Sequence, residues 1–457
     1  MTIKKVIDNG FCVGCGACKV SSPENITIKF LDSGFYEARQ LNSEEKISEE
    51  QLDKVCPFSD ISDNETKISE SLFDPQFHKF DERVGYYHSI YAGHINDPVE
   101  REKSSSGGMT SWICEKLLLD NKVDAVVHVA SGEGMFSYKV SRTISELRDK
   151  ASKKSRYYPV TYEKILTELK ESNERIVFVG IPCFIKSIRL LQASGVLNNI
   201  EFCISLLCGH MKSSGFGESL AWQLGVPPKN LLSVDFRVKN KGYLASNYFF
   251  QAENDDKEVF EANNSSLLGA NWGLGLFRHK SCDFCDDIAG ELADVTLGDA
   301  WLPKYTSDYL GTNILVVRND IINTIFNEYA SELTLEAVDV DTFYETQAGN
   351  YRNRRGGILA RVKGKKVWFP TKRLDICTKY AGTNQQEKIY RFRTLLSQVS
   401  HKNFLIAKKY NSFFIFKLLM LPSLIKYSYL LGGCKSILRL MKLLFINRVK
   451  VVKKATK

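Results

Sequence analysis

Twelve cysteines stand among the 457 residues of this chain, and their spacing is where the chemistry starts. Cys12, Cys15 and Cys18 fall in the run Cys-Val-Gly-Cys-Gly-Ala-Cys, and Cys56 stands in a remote Cys-Pro. Three close thiolates present sulfur to one face of a cuboidal centre and a remote one closes the other. The spacing therefore predicts one 4Fe-4S cluster on Cys12, Cys15, Cys18 and Cys56. Gly14 and Gly16 are placed to let the backbone wrap close to the inorganic sulfides. Structural zinc also accepts four thiolates, but it usually takes them from two Cys-x2-4-Cys knuckles, and this segment has no second knuckle.

In two-cluster bacterial ferredoxins the same run continues to a fourth cysteine before proline, which serves the other cluster. Here Ser22 precedes Pro23, so the segment offers ligands for one cluster alone. A second group is scattered further along: Cys183 in Gly-Ile-Pro-Cys, Cys208 in Cys-Gly-His, and Cys282 with Cys285 in Cys-Asp-Phe-Cys. Cys183 sits between a strand and a helix start, where free amides and the helix dipole favour a thiolate. The spacing leaves two readings open, a second cluster on these four or four separate cysteines. Cys114, Cys203, Cys377 and Cys434 read as packing residues.

The elements that must position these groups alternate. Ile26, Ile28 and Phe30 alternate with polar residues ahead of the turn Asp32-Ser33-Gly34, a short hairpin pattern. After Gly85, strands are predicted at Tyr87–Ala92, Val123–Ala130, Glu174–Val179 and Ile200–Leu207, with helices at Gly108–Leu119 and from Pro182 through Leu191. Further strands follow in Asp235–Phe250, Val259–Glu261 and Asp294–Leu297. The expected fold class is α/β with α+β elements: a small ferredoxin-like N-terminal domain, an α/β body, which the family resemblance given next implies to be flavin-binding, and a basic apolar helical tail.

The order of motifs resembles the coenzyme F420 hydrogenase/dehydrogenase beta-subunit family from about residue 8 to 345. It rests on the cysteine-rich front end, Ser104-Ser105-Ser106-Gly107-Gly108, Ser155-Arg156-Tyr157, Gly180-Ile181-Pro182-Cys183, Cys208-Gly209-His210, Asp235-Phe236-Arg237, Cys282-Asp283-Phe284-Cys285 and Ala293 through Trp301. The resemblance implies an iron-sulfur flavoprotein oxidoreductase, with a second 4Fe-4S cluster on Cys183, Cys208, Cys282 and Cys285 and with FAD or FMN. It implies a redox partner protein or reduced ferredoxin as donor and a small organic acceptor, in a bacterial setting of cell-surface polysaccharide metabolism. The flavin residues it suggests are Ser104, Ser106, Gly107, Gly108, Ser155, Arg156 and Tyr157. Taken without the family, the serine-glycine run is as readily a helix N-cap, and Ser155-Arg156-Tyr157 a solvated basic stretch. A non-catalytic electron-transfer adaptor, docked to a partner enzyme or the membrane by its tail, is the alternative function.

The implied boundaries are a ferredoxin-type domain at 1–62, a linker at 63–85, family N- and C-terminal regions at 86–165 and 166–345, a connecting segment at 346–400 and the tail at 401–457. The crowding of Arg278, His279 and Lys280 before Cys282 is expected to favour the reduced cluster. Gly273-x-Gly275 lacks the rest of a dinucleotide fingerprint, and no phosphate-loop motif occurs.

The formal charge of +9 divides into −4 over residues 1–400 and +13 over His401–Lys457, which holds thirteen bases and no acid. A slightly acidic body speaks against nucleic acid as partner, and the tail reads as an interaction element. Its apolar run Tyr410–Leu431 is interrupted by Lys417, Pro422 and Lys426, which suits interfacial contact with a membrane or a helical hairpin packed on the body; both stay open. Met1–Gly10 has no apolar signal region, so the expected place is the cytoplasm, or peripherally the inner face of the membrane.

Overall fold

The computed structural model describes residues 2–41, 49–149, 154–364, 368–446 and 449–454. The expected hairpin forms as β1 (Ile26–Phe30) and β2 (Tyr36–Gln40), antiparallel with Ile28 opposite Ala38. Ile26 and Ala38 turn inward with Ile3, Leu52 and Cys18, which gives the N-terminal unit a small core of its own.

The segment 63–85 is not the loose linker its polar composition suggests. Asn64 caps a helix at Glu65–Leu72 by accepting from the Lys67 amide at 3.0 Å. Ile68 and Phe73 are buried, and Glu65 is buried beside Lys186 at 3.4 Å. The few apolar residues are therefore enough, because the charge that composition scores as solvated is paired inside. A hairpin of β3 (Lys79–Asp81) and β4 (Gly85–Tyr87) ends the segment.

The body is an eight-stranded mixed sheet. Its first members are β5 (Ser89–Ile95), β6 (Ala125–Ser131), β7 (Phe136–Ser141), β8 (Ile176–Gly180) and β9 (Ile200–Leu206). The chain then leaves to build β10 (Leu231–Val238), β11 (Phe249–Asn254) and β12 (Val259–Asn263) of a smaller sheet, and returns through β13 (Val295–Asp299), β14 (Asn313–Val317) and β15 (Leu333–Ala337). The spatial order is β15-β5-β14-β13-β9-β8-β6-β7, with β13, β9, β8 and β6 mutually parallel and the flanks antiparallel. Continuous apolar strands such as Ile-Val-Phe-Val-Gly in β8 are buried on both faces, as a parallel centre covered by helices requires. The α/β fold class holds, and the carboxyl ends of β5, β13, β9 and β8 lie along one edge.

The C-terminal region is a helical hairpin, Asn384–Lys409 against Phe413–Met441. Its first helix starts at the Thr383 capping box, so the boundary expected at 400 falls inside a helix. The second breaks at Gly432 and Gly433, where the backbone leaves helical values. The hairpin packs on the body, with Phe416 stacked on Phe277 at 5.7 Å. A last strand, β16 (Val452–Lys454), joins β12 to complete the smaller sheet. Cys114, Cys203 and Cys377 are buried as expected, but Cys434, just after the kink at Gly432 and Gly433, is exposed.

Candidate functional site

Cys12 and Cys15 lie on the loop leading into the short helix Ala17–Ser21, Cys18 lies in its first turn, and Cys56 follows the helix Glu49–Val55. All four line one pocket, about 380 Å³ with its mouth included, whose other walls are apolar residues such as Ile3, Phe11 and Val13. The Ala38 amide donates to Cys12 Sγ at 3.4 Å. Burial pushes all four thiols up, Cys12 to about 11, and the sister cysteines add to the rise at Cys18 and Cys56. Four such groups cannot ionise together in an apolar pocket without cations among them, and the irons of a 4Fe-4S cluster would supply that charge. Among the described residues no three His, Cys, Asp or Glu side chains stand close enough together to hold a single metal ion.

The amides of the two glycines point at Cys12 and Cys15, where they oppose the rise from burial, and their backbone is constrained in a second way. Gly14 has φ +65° and Gly16 φ +105°; a Cβ on Gly14 would stand 2.4 Å from the Tyr36 carbonyl oxygen, and one on Gly16 would stand 2.6 Å from Glu163 Cβ. They are required by close packing of the loop on the hairpin and on the helix Glu163–Leu169. Thr161 Oγ1 and the Tyr162 amide both donate to the Cys15 carbonyl at 3.1 Å, which seats the loop on the body.

Cys183 lies in the first turn of the helix Pro182–Ala193 after β8, and Cys208 lies just after β9. Since β8 and β9 are parallel neighbours, both reach the same sheet edge. Cys282 and Cys285 come from the turn Lys280–Phe284 and the residue after it. Burial raises Cys183 most, followed by Cys208, Cys285, Cys282 and then Cys15 of the other set. Cys183 and Cys208 thus lie within electrostatic reach of Cys282 and Cys285, and Cys183 within reach of Cys15 of the N-terminal set.

Arg354 holds this second group. It is buried in a single π-helical turn, Arg352–Gly356, and donates from Nη1 to the carbonyls of Cys208 and Gly209 at 2.8 and 2.7 Å. Its Nε reaches the Cys285 carbonyl at 2.9 Å and its Nη2 the Asp287 carbonyl at 3.2 Å. One guanidinium ties two loops, and its charge opposes the burial that raises Cys208, Cys282 and Cys285. The expected basic crowd before Cys282 is mostly engaged elsewhere. Arg278 is paired with Asp283, His279 is held down to about 3 chiefly by burial and so is neutral, and Lys280 Nζ donates to the Asn9 carbonyl. Sequence reading missed Arg354, and only its place in a run of arginines signals it.

The serine-glycine run lies at the end of β5, on the sheet edge that carries Cys183 and Cys208. The Gly107 carbonyl accepts from Ile95, and Asn313 Oδ1 accepts from the Met109 amide at 3.2 Å. Gly108, at φ +84°, starts the helix Met109–Leu119. Ser104 Oγ donates to the Glu100 carbonyl and Ser106 Oγ to that of Thr312, so these two hydroxyls hold the loop itself. Ser105 Oγ accepts from the Ser155 amide at 2.7 Å, which brings Ser155-Arg156-Tyr157 to the run. Arg156 lies over the Phe136 ring at 4.6 Å, and Tyr157 meets Phe236 and Trp272 edge-on at 5.4 and 4.9 Å.

Beside Ser105 opens a second pocket, about 260 Å³, walled by Arg237, Lys239, Tyr248 and Tyr309. Arg237 is buried, donates to Asp299 at 2.7 Å, and lies over Tyr248 and Trp301. Its Nε has no partner, an orphaned donor that suits an anionic ligand. Lys239 Nζ donates to the Arg101 and Ser106 carbonyls; burial, then Arg237, brings its ammonium down to about 7. Arg237 and Lys239 fit a flavin phosphate better than Ser104 and Ser106 do.

Comparison with known proteins decides the family. Residues 90–167 match the model for the N-terminal region of the coenzyme F420 hydrogenase/dehydrogenase beta subunit, and residues 173–342 match that for its C terminus. The chain belongs to this family. Its members are components of iron-sulfur oxidoreductases linked to coenzyme F420. The chain is 22% identical over 341 residues to a component of the F420H2 dehydrogenase of Methanosarcina mazei, covering 73% of this chain and 86% of that one. It is 22% identical over 361 residues to the coenzyme F420-dependent sulfite reductase of Methanocaldococcus jannaschii, covering 74% of this chain and about half, 49%, of the reductase. A chain of the F420-reducing NiFe hydrogenase complex of Methanosarcina barkeri aligns with a TM-score of 0.46 and 15% identity, over 60% of this chain and 91% of that one.

In this beta-subunit family member an aromatic row joins the two halves of the site. Trp272 lies 4.9 Å from the Tyr157 ring and 4.4 Å from that of His210, two residues from Cys208. His210 is held well below its ordinary value by burial and by the surrounding cations, so it is neutral in this row. Trp272 carries no local motif, and only the fold places it there.

Proposed function

We propose that the chain is an iron-sulfur flavoprotein oxidoreductase subunit that relays electrons between a redox partner, such as reduced ferredoxin, and a small organic acceptor. The observation that carries this is the adjacency of the parts: Cys183 faces its own set and Cys15, and the row His210–Trp272–Tyr157 leads from that set towards the pocket at Ser105. Two 4Fe-4S clusters would supply one-electron storage, and FAD or FMN the exchange between single electrons and a hydride.

The chain's own residues bind and exclude. Cys12, Cys15, Cys18 and Cys56 would ligate one cluster, and Cys183, Cys208, Cys282 and Cys285 the other. Arg354 fixes the loops of the second set, and the apolar walls of the first keep water away. Arg237 and Lys239 would hold the anionic part of the flavin, with Ser105 and Gly107 shaping the loop beneath. The cell-surface polysaccharide setting rests on the family resemblance alone.

The test is anaerobic purification followed by iron, sulfide and flavin quantitation. About eight iron, as much sulfide and about one flavin per chain is the expected result. About four iron without flavin would instead make the chain a non-catalytic adaptor, and zinc without sulfide would sink both readings.

A further inference from the structure

The helix Phe413–Met441 has two unlike long faces. Phe416, Met420, Leu424 and Tyr427 recur at helical spacing and are buried against the body. The Tyr427 hydroxyl donates to the Gly273 carbonyl at 2.9 Å and accepts from Arg393 Nε at the same distance. The opposite face carries Phe414, Leu418, Pro422 and Tyr429 in a row, with Phe414 54%, Leu418 45% and Tyr429 62% exposed. An outward apolar stripe reverses the pattern of a helix on a soluble body. Beyond the Gly432–Gly433 kink the stripe is extended by Leu438 and Phe445, both exposed.

Charge selects what covers this stripe. Lys426 and Lys435 stand exposed beside it, within a stretch from His401 to Lys457 of thirteen bases and no acid. An apolar protein surface would leave those cations unanswered, and a nucleic acid would leave the apolar stripe in water. An anionic lipid surface answers both, with the rings and leucine at the acyl boundary and the cations among headgroups. Among the described residues Phe413–Phe445 is long and apolar enough to cross a bilayer. Crossing would break the Tyr427 and Phe416 contacts along the body and sink Lys417, Pro422 and Lys426 to mid-depth. We infer that this helix lies flat on an anionic phospholipid bilayer and docks the oxidoreductase there through Phe414, Leu418 and Tyr429.

Flotation of the full-length holoprotein with vesicles of phosphatidylcholine, with or without about one third phosphatidylglycerol, tests this. Binding is expected on the anionic vesicles and not on the neutral ones. Phe414→Asp with Leu418→Asp should lower the partition coefficient at least about tenfold. Lys426→Gln with Lys435→Gln, which leaves the apolar stripe intact, should lower it roughly twentyfold at low salt. The visible iron-sulfur absorption, unchanged in both variants, shows that they fold. Flotation indifferent to lipid charge or to the two aspartates overturns the inference. So does a dimer in solution, without lipid, that the two aspartates convert to monomer, because the stripe would then be covered by a second copy of the chain.

Discussion

Cys12, Cys15 and Cys18 come from one turn of seven residues, and their pocket is walled by Ile3, Phe11 and Val13. Cys183, Cys208 and the pair Cys282 and Cys285 come from three separate segments, and a buried cation binds two of them, those of Cys208 and Cys285, together. The surroundings of the second group are charged throughout: Arg361 lies 3.3 Å from Asp283, Arg373 lies 2.8 Å from Asp286 and 2.7 Å from Glu291, and Arg355 lies 3.2 Å from Glu291. A compact ligand set holds itself by backbone geometry and can sit in an apolar wall. A dispersed one needs its loops tied, and the ties are costly to cut because each leaves a buried polar group alone.

The sharpest way to break this comparison is to remove one ligand from each side. Cys56→Ser should cost about half the iron and sulfide and leave the other cluster's electron-paramagnetic signal in the reduced protein, and Cys208→Ser should do the converse. If either substitution erases both signals, or neither, the division into two sets is wrong.

Arg354→Gln should act on the second set alone. Four carbonyls lose their donor, which should lower stability by roughly 3–5 kcal/mol in urea unfolding. Loss of the cation should also move the potential of a cluster held by the second set negative by several tens of millivolts, measured by redox titration, with that of the first set unmoved. Arg354→Lys should restore part of the potential but little of the stability, since an ammonium cannot reach both loops as a fork does.

A smaller effect separates the regions by pH. Phe35 of the N-terminal hairpin packs on His279 and His401, and burial holds these imidazoles down to about 3 and about 4 against an ordinary 6.5. Below about 6.5 the unfolded chain binds protons there that the folded one refuses, so stability falls as pH falls towards 4. From about pH 7 to about pH 5.5 the loss should be about 2–3 kcal/mol for the pair. His279→Gln with His401→Gln should flatten that slope. A slope unchanged by the double variant would show that the docking of the N-terminal unit is not what acid weakens.

The same contrast explains what was legible from the amino acids. The first cysteine set, the hairpin after it and the strand–Gly-Ile-Pro-Cys–helix unit are local, and local spacing reveals them. Arg354 is 146 residues from Cys208 and Trp272 lies in an irregular loop, so their roles exist only once the sheet has brought those segments together. The segment 63–85 misled for a related reason: Glu65 counts as a surface charge until its partner Lys186 is known. Around the serine-glycine run, Ser104 and Ser106 are spent on the Glu100 and Thr312 carbonyls, and an unpartnered donor comes instead from the distant, buried Arg237.

The strand β16 has a consequence for the order of assembly. It completes the smaller sheet from the far end of the chain, with Lys453 paired to Glu258 across 195 residues. During synthesis β12 emerges long before this neighbour, so the edge of the smaller sheet stays open while the body folds. Closure of that edge therefore waits for residues made up to 195 positions later, which ties completion of the smaller sheet to the helical hairpin that precedes β16.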